Sequence, residues 1–368
     1  MRPRGPWSPA FGHRYRQDGY VTGMYALTVL PNTADSVQVT ELPDPIPGAG
    51  DLLVDGLAVG ICGTDAEIIA GTFGTAPPGH DRLVIGHESL GRVRQAPDGS
   101  GFAPGDLVAG VVRRPDPVPC GACAHGEFDM CRNGRYTEHG IKGLHGFASE
   151  AWCVEADYAI RLDPRLEPVG MLLEPASVVA KAWEQIDRIG ARSWFEPSSV
   201  LVTGAGPIGL LAALLGVQRG LDVHVLDLMD HGPKPDAVAA LGATYHHDGV
   251  AAAAAGAPPD IVIEATGAPA LVYEAIDHTA KCGIVCLTGV YGPSRPAAAA
   301  YREMVMENDV LFGSVNANLR HWSAAADALA AADPDWLGRL VTRRVPLAEA
   351  PGALDPGDDD IKVVVTLE

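Results

Sequence analysis

Three short stretches carry side chains able to hold a transition metal: Gly60-Ile61-Cys62-Gly63-Thr64-Asp65, Val84-Ile85-Gly86-His87-Glu88 and Leu172-Leu173-Glu174-Pro175. A thiolate, an imidazole and carboxylates are the ligand types of a catalytic zinc site that keeps one position open for a substrate oxygen. Cys62 and His87 would be the first two ligands. Asp65 could accept the second imidazole proton of His87 and fix its tautomer, the usual role of a supporting carboxylate. Glu88 could reach the metal directly, through water or only transiently, and Glu174 would add a carboxylate from a helix start. Taken singly, these residues read as an inert buried cysteine, a core histidine and a surface glutamate. Their chemistry becomes the better reading only beside a second motif.

That motif is Val200-Leu201-Val202-Thr203-Gly204-Ala205-Gly206-Pro207-Ile208-Gly209, a strand pattern running through a glycine turn into a helix. Gly204, Gly206 and Gly209 suit a tight turn, close approach of a pyrophosphate and helix-to-strand packing, with Pro207 and Ile208 in the same turn. The helix start adds free N–H groups to an anion site. Asp227, 23 residues after Gly204, ends the next strand. A carboxylate there binds both ribose hydroxyls and repels a 2′-phosphate, so NAD is expected, and Lys234 leaves NADP use open. Thr266, Gly267, Thr288 and Val290, at later strand ends, are expected beside the nicotinamide. Thr64 could take a substrate proton and relay it through the cofactor ribose towards Glu67. Metal and dinucleotide together imply metal-assisted hydride transfer.

These residues need two kinds of scaffold. At 368 residues the chain exceeds the usual span of one core. From about residue 24 to 165, short apolar runs are broken by Gly and Pro, which predicts a β-rich domain. Residues 168–189 read as a helix around Glu174. Strand and helix then alternate, with strands at 200–203, 223–227, 261–265, 284–288 and 310–313 and helices at 207–218 and 235–241, as in a parallel sheet covered on both faces. A helix near 324–332 and a strand at 361–365 return to the first domain. The fold class is α/β: a β-rich catalytic domain over 24–190 and 316–368, and a doubly wound dinucleotide-binding domain over 191–315.

A formal charge of −19 argues against nucleic-acid binding, which needs clustered Lys and Arg. No apolar run reaches the ~20 residues of a membrane span. Residues 1–23 lack the apolar stretch of a secretory signal and read as a disordered extension or a start codon set too early. Seven cysteines in such a chain suggest metal or reduced thiols rather than a disulfide framework, and the expected location is cytoplasmic.

The order of Cys62-Gly63-Thr64-Asp65, Gly86-His87-Glu88 and the later glycine motif resembles the zinc-dependent medium-chain dehydrogenase/reductase family, from Met24 onward. Ala70-Gly71-Thr72-Phe73-Gly74 with Pro77-Pro78-Gly79, the run from Arg132 to Lys142, Gly313-Ser314-Val315-Asn316-Ala317 and Leu173-Glu174-Pro175 resemble its microbial glucose dehydrogenase branch. That branch carries Glu or Gln where alcohol dehydrogenases carry a third zinc-binding Cys. The resemblance implies a GroES-like domain joined to a Rossmann domain, zinc at Cys62, His87 and Glu174 with Glu88 near it, and substrate hydroxyls at Glu174 and Asn316. Some branch members have a sugar-touching Asn near Val112 and Glu near Arg132. Here one position is apolar and the other cationic, which bears on glucose itself but not on a polyhydroxylated substrate.

Family members often hold a second, structural zinc on four cysteines. Cys120, Cys123 and Cys131 supply three, and His125, Glu127 or Asp129 could supply the fourth; a solvated remnant of a lost site is the alternative. Cys153, Cys282 and Cys286 lie in strand-like text and read as small apolar residues. The expected protein is a zinc-dependent, NAD-preferring sugar or polyol dehydrogenase, with glucose oxidised to gluconolactone as the leading case. A cyclitol or aminosugar dehydrogenase is the second reading, and a non-catalytic NAD-binding protein the third. The family implies a homodimer or homotetramer.

Overall fold

A computed structural model describes residues 23–289, 304, 309–357 and 359–367. The expectation of an N-terminal extension falls on residues 1–22, outside the described residues, and Gly23 already opens a strand. Val290 is also outside them.

The apolar runs of the first half fold as mainly antiparallel sheets. Asp51–Ile61, buried along most of its length, is the spine of the larger one. It pairs antiparallel with Glu88–Gln95 on one side and with Lys362–Thr366 on the other. The sheet runs Ala159–Arg161, Leu107–Gly110, Glu88–Gln95, Asp51–Ile61, Lys362–Thr366, Val341–Pro346, with Ala151–Glu155 also paired to the spine. Two short helices that the sequence did not announce, Gly63–Ile69 and Gly121–Ala124, interrupt these strands. Neither is long enough for an apolar period to show.

Beyond residue 198 the strands change type. Ser199–Thr203 is almost wholly buried, as a strand covered on both faces must be. The parallel sheet runs Thr244–His246, Asp222–Leu226, Ser199–Thr203, Ile261–Glu264, Ile284–Leu287, Val310–Gly313. This is the doubly wound order 3-2-1-4-5-6. Its direction reverses between Ser199–Thr203 and Ile261–Glu264, and a ligand crevice opens at their C-terminal ends. Five of the six strands match the expected ones; Thr244–His246 is a three-residue edge strand with too little pattern to read. Cys282 lies in a turn with φ +62 ahead of its strand, not within it.

Helix Leu173–Gly190 buries Leu173, Ala176, Val179, Ala180, Trp183 and Ile186, one face at helical spacing. Trp183 Nε1 donates to the Ala212 carbonyl at 3.3 Å, tying this helix to Pro207–Gln218.

A small sheet of Arg113–Arg114, Thr137–His139 and Gly143–Leu144 walls one end of the cleft. His139 stacks on Phe147 and its Nδ1 lies 2.7 Å from the His145 carbonyl. Burial, followed by the charge of Arg114, pulls its pKa down to about 4. The unfolded chain therefore binds a proton that the fold refuses, and the stability His139 contributes above pH 6.5 is lost as pH falls towards 4. The urea midpoint of His139→Gln should accordingly fall less than that of the wild type over this acid range; parallel curves would refute the assignment.

Candidate active site

The register of the two central strands sets Gly60 opposite Glu88, so Cys62, just past the end of one strand, and His87, just before the start of the other, meet. Gly86 makes the turn with φ +85, and a Cβ there would lie 2.7 Å from Val59. Cys62 Sγ is 3.1 Å from His87 Nε2. Asp65, fully buried, accepts the Cys62 backbone N–H at 3.0 Å and sets Oδ1 3.5 Å from His87 Nδ1. Burial lowers the His87 pKa, but the charges of Cys62 and Asp65 outweigh it and hold it well above the ordinary value.

His87 belongs to two sets of potential ligands, Cys62/Asp65/His87 and His87/Glu88/Glu174, each with its ligand atoms within 4.8 Å of one another. Burial pushes Glu174 up to about 7, against the pull of His87. Three carboxyl groups, a thiol and the His87 imidazole thus meet beside Lys362. S, N and O donors brought together in this way fit a divalent zinc ion.

Glu88 is not free to approach from any direction. Its oxygens lie 2.6 and 2.7 Å from Lys362 Nζ, and both side chains are buried. Lys362 was missed by the sequence reading, although a single charge inside Ile361-Lys362-Val363-Val364-Val365 was the available signal. Thr64, Glu67, Cys62, His87, Glu88 and Glu174 line one cleft of about 920 Å³ with Pro207, Ile208, Thr266, Thr288 and Asn316.

At the far side Gly204 (φ +96) turns the chain out of its strand, and Gly206 caps helix Pro207–Gln218. A Cβ on Gly209 would sit 1.7 Å from the Gly204 carbonyl oxygen, so only glycine lets the helix lie this close. A Cβ on Gly206 meets nothing within 4 Å, which leaves open space above the helix start. Asp227 Oδ2 accepts the Ala205 N–H at 2.6 Å and lies 3.4 Å from Lys234 Nζ. Glu264, unremarked in the sequence, ties the nearby strand ends together. Its carboxylate accepts the Thr266 N–H at 2.7 Å, the Thr266 hydroxyl and the Gly267 N–H at 2.9 Å, while its carbonyl accepts from Thr288 and Gly289.

The expectation for Val112 and Arg132 needs one correction. Val112 lines the cleft as expected, but Arg132 does not; it is exposed on the cysteine lobe, where its N–H meets Cys120 Sγ at 3.3 Å. Glu138, held by Arg113 at 2.8 and 3.0 Å, lines the cleft instead.

In the lobe the thiols of Cys120, Cys123 and Cys131 lie within 4.8 Å of one another. Backbone N–H groups of Cys123 and Arg132 lower the Cys120 thiol to about 6. None of the expected fourth ligands joins the cluster. His125 meets the Gly121 carbonyl, Glu127 pairs with Arg320, and Asp129 pairs with Lys181. Three soft donors fit a zinc ion whose fourth ligand is not one of these side chains.

Fold and site define a class: a zinc-dependent oxidoreductase of CH–OH groups, with a β-rich half presenting the metal donors to a dinucleotide-binding half. Residues 48–164 match the family described as alcohol dehydrogenase GroES-like domain, and residues 167–367 the family described as glucose dehydrogenase C-terminus. The glucose 1-dehydrogenase of Methanocella arvoryzae is 38% identical over 357 residues, covering 94% of this chain and 99% of that one. That of Thermoproteus tenax is 39% identical, covering 94% and 100%. Among solved structures, Haloferax mediterranei glucose dehydrogenase in complex with NADP, Zn and gluconolactone superposes with a TM-score of 0.84 at 34% identity, covering 94% and 99%. The chain belongs to the zinc-dependent medium-chain dehydrogenase/reductase family, in its glucose 1-dehydrogenase branch.

Gly209→Ala should weaken NADH binding about tenfold or more, or 1.4 kcal/mol, in a fluorescence titration, with zinc content unchanged. Wild-type affinity would show that the close helix approach is not needed.

Proposed function

We propose that the chain oxidises D-glucose at C1 to gluconolactone, with NAD preferred. The observation that carries this reading is that Cys62, His87 and the carboxylate Glu174, in two donor sets that share His87, line one cleft with Pro207 and Ile208 of the Gly204–Gly209 turn. When bound, zinc held by Cys62, His87 and Glu174 lowers the pKa of the sugar hydroxyl and the nicotinamide accepts the hydride. Asp65 holds His87 in one tautomer, and Lys362 neutralises Glu88. Glu174 and Asn316 orient the sugar hydroxyls. Thr64 would take the proton from the reacting hydroxyl, and Glu67, exposed in the same cleft, would return it to solvent.

Asp227 supports NAD, because a 2′-phosphate would be brought against its carboxylate. Lys234 offsets part of that charge and leaves NADP use open, in keeping with the NADP in the Haloferax structure. The lobe is read as a second zinc site on Cys120, Cys123 and Cys131. The catalytic domain is read as 24–190 with 316–368, and the cofactor domain as 191–315; pairing of Lys362–Thr366 with Asp51–Ile61 supports that return. A cytoplasmic location fits the seven free thiols, and no helix among the described residues is long and apolar enough to cross a membrane. A homodimer or homotetramer completes the proposal.

A second reading, a cyclitol or aminosugar dehydrogenase, draws on Val112, an apolar side chain in the sugar-facing wall. The two separate in a panel of aldoses, polyols, cyclitols and aminosugars assayed with NAD and NADP, with zinc measured on the same sample. Glucose turnover should dominate; a cyclitol or aminosugar turned over with higher kcat/KM would install the second reading.

Cys62→Ala and His87→Ala should each abolish turnover while NADH still binds; turnover surviving in zinc-free variants would sink the mechanism. Asp227→Ser should lower the ratio of kcat/KM for NAD over NADP about tenfold, and an unmoved ratio would clear Asp227 of cofactor choice.

A further inference from the structure

A second charged cluster lies behind the sugar end of the cleft and outside the metal site. Lys181 stands about two turns beyond Glu174 on the same helix and is 5% exposed. Its ammonium lies 2.7 Å from Asp129 Oδ2 and donates to the Val315 carbonyl at 2.8 Å. Asp129, also buried, accepts from Asn318 Nδ2 through its other carboxylate oxygen at 3.2 Å. Its backbone carbonyl accepts from Arg113 at 2.6 Å, and Arg113 in turn grips Glu138. One aspartate of the cysteine lobe therefore joins two walls of the pocket, the loop 314–318 and the Arg113–Glu138 wall.

That loop is anchored at its ends, where the Ser314 N–H donates to the Leu287 carbonyl at 2.9 Å and Asn318 Nδ2 also donates to Glu127 at 2.9 Å. Between them Asn316 has φ +60, a left-handed conformation that asparagine tolerates better than other residues with a Cβ. Val315 is 55% exposed, so its side chain supplies little packing to fix the turn. A buried ion pair is a poor source of net stability, because desolvation offsets most of its attraction. What Lys181 adds is direction: a short, charge-assisted donor aimed at the carbonyl that precedes Asn316.

We propose that Lys181 and Asp129 are positioning residues of the sugar site, which fix the Val315 carbonyl and so aim Asn316 at the sugar against the Arg113–Glu138 wall. The inference rests on the reading of Asn316 as a substrate contact. Neither residue lines the cleft; Lys181 acts through the Val315 carbonyl it holds, and Asp129 through Lys181 and Asn318.

Steady-state kinetics of the zinc-loaded enzyme with glucose and NAD test this. Lys181→Met should raise the glucose KM about tenfold or more, as a small misplacement of a binding group does, with kcat within about twofold, and with the KM for NAD and the zinc content unchanged. Lys181→Arg, which keeps a charge and donors, should recover most of the loss. Asn316→Ala should raise the glucose KM by itself, and adding Lys181→Met to it should raise it little further. A purely structural Lys181 would lower the melting temperature and leave this pattern absent. A normal KM in Lys181→Met beside a raised one in Asn316→Ala overturns the positioning role alone, as does full additivity. A normal KM in Asn316→Ala overturns the reading of Asn316 itself. If Lys181→Met does not fold, Asp129→Asn, which keeps the shape and the acceptor for Asn318, should show the same rise in KM, and a wild-type value there overturns the proposal.

Discussion

The pairing of Asp51–Ile61 with Glu88–Gln95 is the constraint on which the site depends. Gly60 faces Glu88 across it, and a Cβ at Gly60 would lie 1.9 Å from Glu88 Oε2. The missing side chain lets the Glu88 carboxylate fold over the spine strand to Lys362, on the strand that flanks it on its other side. A slip of one residue would turn every side chain of the strand to the opposite face. It would separate Cys62 from His87 and leave Glu88 buried without a countercharge. Catalytic geometry and sheet register are one problem here.

The charges around that register are organised in two groups, and each is buried for a different end. Around His87 a thiol and three carboxyl groups meet beside Lys362, donors that a metal would hold together. At the other end of the cleft Lys181, Asp129, Arg113 and Glu138 are matched in number, and the two cations also hold backbone carbonyls in place. Both groups draw on helix Leu173–Gly190, which contributes Glu174 to one and Lys181 to the other. A single helix thereby sets the spacing between the two groups.

Much of this was legible in the chain because local physics forces it. The glycines at 204, 206 and 209 are required by a turn and a close approach, and the strand-helix alternation after residue 199 follows from burial on both faces. The thiol, imidazole and carboxylate stretches announced a metal because few other combinations of residues gather those donors beside turns. What stayed hidden were partners supplied from far along the chain. Lys362, Glu264 and Glu138 each sit as one charge in a short strand, and only the three-dimensional pairing tells what they meet. Arg132 was misplaced for the same reason: counting along a lobe of turns cannot say which side chain reaches the pocket. Thr244–His246 and the two short helices escaped because a period needs length to be seen.

The contact between Glu88 and Lys362 spans 274 residues of sequence. At the usual 5–20 residues per second of synthesis, Glu88 would precede its countercharge by about 14–55 s. During that interval the strands that carry Cys62 and His87 can already pair, but Glu88 beside them lacks its ammonium partner. The charge pair at the site is therefore completed only after the 274 intervening residues have been made, which couples the metal end of the cleft to a strand from the far part of the chain.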